Sequence, residues 1–332
     1  MKKSVAVLLC LVLAIGVTAC GQQEVEVKNE DSLKKVTVML DWYANTNHTG
    51  LYAALENGYY EEQGLDVEII TPTKGGTNQL VAANKAQFGV SYQEDVTLAR
   101  ANGVPVVSIA AVIQHNTSGF ASKKEDGITT PKGFEGKRYG GWGSPSEEAT
   151  LKAVMENANA NYEEVENINI GQSDFFTAIE RDVDFSWIYY GWDGVEAKRR
   201  GMELNMMMLR DLHPALDYYT PVLVTNESII EENPELAKKF MSATTKGYQF
   251  AIEKPEEAAN ILLKHAPELE QELVVASQKW LSSKYQDDAP RWGEQKKDVW
   301  EKYTNWMYEW KLLPEMIEVD KAYTNKFLPK AE

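Results

Sequence analysis

Short β-rich runs alternate with stretches whose apolar residues recur every three or four positions, and that alternation predicts an α/β protein with mainly parallel sheets. Residues 36–40, Val-Thr-Val-Met-Leu, read as a strand; residues 49–62 then show helical spacing through Leu51, Ala54, Leu55 and Tyr59, and Gly64 stops the helix. A second strand is predicted over 65–70, a helix over 79–84, a third strand over 87–91 and a longer one over 104–113. A loop at 123–136, with three glycines and Pro131, opens another block: strand 137–141, helix 146–158, strand 165–170, helix 173–181, strand 183–188 and helix 190–200. Beyond a strand-like run at 219–225 the chain is almost wholly helical, with Pro234 and Pro255 in first-turn positions. Trp280, Trp300, Trp306 and Trp310 of these helices are expected to pack back on the first block. The expected organisation is therefore one lobe from 36–114 and 225–332, and a second from 115–224. Crossings near 114–122 and 218–225 would act as a hinge over an interlobe cleft.

The N-terminus has a different pattern. Lys2 and Lys3 precede an apolar run over 5–17 that is short for a bilayer span but suits a secretory signal, and Val17-Thr18-Ala19-Cys20 closes it. Residues 1–19 are expected to be a lipoprotein signal, Cys20 the lipid-bearing first mature residue, and 20–35 a polar tether. Acyl chains on Cys20 would hold the protein at the outer face of a bacterial membrane. The other cysteine of the two, Cys10, lies inside the signal, so the body has no thiol for a disulfide, a metal or a nucleophile. The net charge of −16 makes nucleic acid a poor partner.

Four segments past predicted strand ends carry the candidate chemistry, where ligands of open α/β sheets sit. The densest is Tyr189-Tyr190-Gly191-Trp192-Asp193, whose rings offer flat faces for stacking. Asp41, Trp42, Asn45 and His48 mix a ring with hydrogen-bonding groups; Asn47 is a competing helix cap. Tyr92 and Glu94 open a helix, and the Glu94 carboxyl can accept from an exocyclic amine or, protonated, donate to a ring nitrogen. Trp142-Gly143-Ser144 belong to a glycine-rich turn whose backbone amides are expected to be free for an oxygen-bearing substituent. His48, His115, His213 and His265 lack metal-ligand spacing, and no serine sits in a nucleophile elbow. No catalytic residue, metal or cofactor is expected.

Asp41-Trp42 with His48-Thr49-Gly50, the run Asn57 to Leu65, Phe88-Gly89-Val90-Ser91-Tyr92-Gln93-Glu94 and Gly191-Trp192-Asp193-Gly194-Val195-Glu196 resemble the substrate-binding lipoproteins of thiamine-precursor importers. The resemblance covers essentially the whole mature body. It implies a type II periplasmic-binding-protein fold and a formylated aminopyrimidine ligand. It also implies a monomer that delivers the ligand to the permease of an ATP-driven (ABC) importer for thiamine salvage. Fungal hydroxymethylpyrimidine phosphate synthases share this scaffold. Their cysteine-rich motif aligns near Tyr218-Tyr219-Thr220-Pro221-Val222, which has no cysteine, and their lysine and histidine fall near 89–95, which has neither. The alternatives are such a synthase, a binder of a sulfonate or nitrate-like solute, for which cations and helix amides would line the cleft, and an extracytoplasmic sensor lobe, which would continue into a transmembrane helix.

Overall fold

The structure, a computed structural model, describes residues 33–71, 76–171 and 173–331. Cys20 and the expected signal 1–19 lie outside the described residues. Among the described residues no helix is long and apolar enough to cross a membrane.

Among the described residues, ten strands form two five-stranded sheets. β1 (Lys34–Met39), β2 (Leu65–Ile70), β3 (Phe88–Ser91), β4 (Val106–Ala111) and β10 (Val222–Asn226) make the first, in the order β2-β1-β3-β10-β4. β5 (Ser118–Lys123), β6 (Arg138–Gly141), β7 (Glu166–Asn169), β8 (Phe185–Tyr189) and β9 (Leu204–Met208) make the second, in the order β7-β6-β8-β5-β9. The two sheets share one plan. β1 runs parallel to β2 and β3, and β6 runs parallel to β7 and β8. The fourth strand of each sheet, β10 or β5, is antiparallel to both neighbours. The expected mainly parallel sheets are thus mixed, because each crossing between sheets delivers an antiparallel strand. Those crossings, 112–117 and 217–221, are tied together: the Val112 N–H donates to Pro221 O at 3.0 Å, and the Asn116 N–H donates to Asp217 Oδ1 at 3.0 Å.

Packing explains most other departures from the sequence pattern. The helix expected over 49–62 is two, Thr49–Glu56 and Tyr59–Glu62, because Gly58 takes a φ of 71° that an uninterrupted helix cannot contain. Helix Thr49–Glu56 lies against Pro234–Glu253 at an approach only glycine permits: a Cβ on Gly247 would stand 2.1 Å from Gly50 O. Around that contact Val38, Leu51, Phe88, Phe240 and Tyr248 form the core of the first lobe. Of the four tryptophans, Trp280 and Trp300 do pack with the first sheet. Trp306 and Trp310 instead join Phe120, Phe185 and Tyr218 in the core of the second lobe, so helix Lys297–Glu309 spans both lobes.

Candidate functional site

β1, β3, β6 and β8 end just before four of the expected segments, and the structure sorts the candidates into converging and spent groups. After β1, Asn45, not Asn47, is the cap. Its Oδ1 accepts the Asn47 N–H at 2.9 Å and its Nδ2 donates to Tyr43 O at 3.0 Å, so both ends of the amide are committed to the turn Thr46–His48. His48 is fully buried, and its Nδ1 accepts the Asn45 N–H at 3.2 Å. That bond leaves the ring proton on Nε2, which donates to Asp41 Oδ1 at 2.6 Å. Asp41 Oδ2 accepts the hydroxyl proton of Tyr92. Burial works to raise the Asp41 pKa, but His48 and the hydrogen bonds that it and Tyr92 donate outweigh it, and the net shift is downward. Trp42 stands edge-on to Tyr43 and is 47% exposed.

After β3, helix Gln93–Ala101 begins with Glu94 in its first turn. Glu94 keeps some surface open, yet its Oε2 is buried with no partner, and Oε1 has only a long bond of 3.4 Å from the Tyr218 hydroxyl. Burial, and then the charge of Asp95, pushes its carboxyl well above the usual range. Tyr218 arrives on the second crossing, held by Gln93: the Tyr219 N–H donates to Gln93 Oε1 at 2.9 Å, and the Gln93 N–H returns to Tyr219 O at 3.0 Å. Its ring stacks on Tyr303 at 4.1 Å. From β8, Tyr189 completes the cluster; burial and the nearby Glu94, followed by Asp41, drive its phenol pKa upward. Asp41, Tyr92, Glu94, Tyr189 and Tyr218 thus meet where both lobes and a crossing converge.

The unpaired Glu94 has a consequence for stability. Its folded pKa lies above the ordinary 4.5, so between these values the native state holds a proton the unfolded chain has released, and stability falls as pH rises through that window. Glu94→Gln removes that loss. The ligand-free variant is expected to melt above the parent at pH 8, with the gap closing toward pH 4.5; equal melting at pH 8 in a fluorimetric scan would contradict the placement.

Other candidates are engaged elsewhere. Tyr190 packs on Trp280 with centroids 5.1 Å apart, and Trp192 packs on the cluster around Leu262 and Val274. The expected helix 190–200 is instead a π-turn, Tyr190–Gly194, followed by helix Val195–Arg199. The turn docks on helix Gln271–Ser282 of the first lobe, with Ser277 Oγ donating to Gly191 O. Those two rings therefore join the lobes, and the expectation of three free stacking faces in this segment narrows to Tyr189. Asp193 is half-buried there, and burial lifts its pKa to about 6 against the pull of the Tyr189 backbone.

The turn after β6 also departs from expectation. The N–H groups of Trp142, Gly143 and Ser144 are not free: all donate to the buried carboxylate of Glu147, at 2.8 Å from Gly143. Tyr139 adds its hydroxyl at 2.6 Å, and Ser144 Oγ accepts the Glu147 N–H in return, a capping box that starts helix Pro145–Asn157. Gly143 and Ser144 are therefore helix-capping residues, while Trp142 remains 44% exposed beside Trp187. The Ser-x-x-Glu spacing at 144–147 was the available signal for this. Tyr218 and Tyr303 carried none, since nothing in the sequence places a crossing and a late helix beside Glu94.

A cavity of about 500 Å³ in the first lobe borders the cluster through Asp41 and Tyr92, then runs along Thr77, Asn78 and Asp95 to Asn102 without reaching Glu94 or the second lobe.

A family model described as NMT1/THI5 like matches residues 45–258. The formylaminopyrimidine-binding protein of Halalkalibacterium halodurans is 32% identical over 324 residues, covering 96% of this chain and 98% of that one. The 4-amino-5-hydroxymethyl-2-methylpyrimidine phosphate synthase of Legionella pneumophila is 27% identical over 90% of this chain and 94% of its own. Among solved structures, the periplasmic aliphatic sulphonate binding protein SsuA of Escherichia coli matches with a TM-score of 0.69 at 12% identity, over 87% of this chain and 91% of its own. That likeness shows the fold alone, the two-lobed type II periplasmic-binding-protein architecture.

Proposed function

The chain belongs to the NMT1/THI5-like family, and we propose that within it this protein is a non-catalytic solute-binding protein for a formylated aminopyrimidine. The observation that carries the reading is Glu94, whose buried, unpartnered Oε2 stands among the phenols of Tyr92, Tyr189 and Tyr218. A buried carboxyl left half-satisfied costs stability, and an aminopyrimidine edge supplies both missing halves: an amine to donate and a ring nitrogen to accept. The two most exposed tryptophans, Trp42 on one lobe and Trp142 on the other, are the aromatic surfaces that would close over the ring, with Tyr189 at its end of the cleft. A sulfonate or nitrate would instead meet the ionised carboxylate of Asp41, whose charge repels anions. The cluster is preferred to the neighbouring cavity because it sets the unpaired Glu94 oxygen of the first lobe beside Tyr189 of the second.

The synthase alternative is disfavoured by the sequence, because residues 33–331 contain no cysteine and the segment 89–95 has neither lysine nor histidine. In this reading the protein hands its ligand to the permease of an ABC importer, acts as a monomer, and serves thiamine salvage. It does so while tethered by Cys20 to the outer face of the cell membrane. Cys20→Ser is expected to leave the precursor uncleaved or the protein released from membranes; processed protein that still sediments with membranes would contradict the anchor. The ligand itself is tested by mass spectrometry of the small molecule freed when protein purified from its producing cells is denatured. An intact aminopyrimidine supports the reading, and a sulfonate in its place overturns it.

A further inference from the structure

Deepening that reading, and resting on it, we propose that Tyr92 selects an amino over an oxo substituent on the ring, and that Asp41 and His48 are positioning residues that set this choice by fixing the direction of the Tyr92 hydroxyl proton.

The chain of bonds has one polarity. The Asn45 N–H donates to His48 Nδ1 at 3.2 Å, so the imidazole carries its proton on Nε2 and donates to Asp41 Oδ1 at 2.6 Å. Asp41 therefore accepts on both oxygens, and the partner on Oδ2 is Tyr92. Each donor is committed, and the phenol has spent its only proton inside the protein. What its oxygen still offers is a lone pair. Toward the neighbouring Glu94 and Tyr189 it can accept an N–H, and it would place lone pair against lone pair before a carbonyl. Without Asp41 the hydroxyl would rotate and serve either substituent. With Asp41 held by a fully buried imidazole, reversal requires breaking two bonds. Burial, and then the Asp41 charge, also holds the phenol pKa well above its ordinary value, so it does not lose its proton at working pH.

A specificity that comes from proton direction differs from one that comes from shape, since it should reverse when the relay reverses. Calorimetric titration of the processed protein would compare 4-amino-5-(formylaminomethyl)-2-methylpyrimidine with its 4-oxo counterpart. Wild type is expected to favour the amino ligand by at least tenfold. Asp41→Asn can turn its amide N–H toward Tyr92, freeing the phenol proton, so the amino-to-oxo ratio should fall severalfold or invert. Tyr92→Phe, which removes a single oxygen from a half-buried ring, should weaken the amino ligand more than the oxo ligand. His48→Gln keeps a donor for Asp41 and should retain the wild-type ratio. A ratio unchanged in both Asp41→Asn and Tyr92→Phe, or in Tyr92→Phe alone if Asp41→Asn does not fold, overturns the inference while leaving pyrimidine binding intact. Wild type that binds neither ring overturns the underlying reading and this inference with it.

Discussion

Glu94→Ala is expected to weaken aminopyrimidine binding by about 1–3 kcal/mol, roughly 5- to 150-fold, with the fold of the free protein unchanged. The carboxyl lies in the first turn of its helix and caps nothing there: its two oxygens have between them one long contact with Tyr218. Little native structure is lost with it, whereas a bound ring edge loses its donor and acceptor together. The loss should be selective, greater for rings that carry the amino group than for analogues without it. Titration calorimetry of parent and variant against both ligand types reads this directly. Equal affinity in the two proteins would mean that the ring lies elsewhere, with the cavity beside Asp41 and Thr77 as the remaining position.

The largest stability effect is expected at Trp292. Its side chain is fully buried, its ring stacks on Tyr248 at 4.1 Å, and its Nε1 donates to Val112 O at 3.2 Å. Val112 begins the first crossing and is itself bonded to Pro221 of the second, so this indole joins the core of the first lobe to the base of the hinge. Trp292→Ala should cost about 3–5 kcal/mol through lost burial and the cavity left behind, with the Val112 carbonyl deprived of its donor. Against a total stability of order 5–15 kcal/mol, that is a large fraction. Urea unfolding should show the midpoint falling with an unchanged slope. A loss below about 1.5 kcal/mol would contradict the packing.

Much of the fold was legible because its parallel strands are short runs with buried apolar residues bounded by clear helix patterns: 36–40 and 87–91 bury Val36, Val38, Phe88 and Val90, and 65–70 alternates buried Leu65 and Val67 with exposed Asp66 and Glu68. Two strands escaped. β5, Ser118-Gly119-Phe120-Ala121-Ser122-Lys123, is built from small residues because its neighbour presses close: a Cβ on Gly119 would lie 2.2 Å from Met207 O. β9 is Leu-Asn-Met-Met-Met, and methionine carries no β signal. Both pair antiparallel and depend on the completed sheet. Reading the site met the same limit in another form. Segments beyond strand ends could be located, since topology places them at one edge of each sheet. Which groups in them stay unpaired depends on partners far away in sequence, such as Ser277 and Trp280 against the π-turn, or Tyr218 against Glu94. Residue types pointed equally to Asn45 and Glu94, and only the hydrogen-bond partners separate a spent amide from an available carboxyl.

The cleft is expected to hold a formylated aminopyrimidine and to leave it unchanged. Calorimetric titration of the processed protein with 4-amino-5-(formylaminomethyl)-2-methylpyrimidine, followed by recovery and mass analysis of the ligand, tests both halves at once. Saturation is expected at one ligand per chain, at micromolar affinity or tighter, with the compound recovered intact. No heat with this ligand beside clear binding of an alkanesulfonate or nitrate, or recovery of a converted product in excess of the protein, would contradict it.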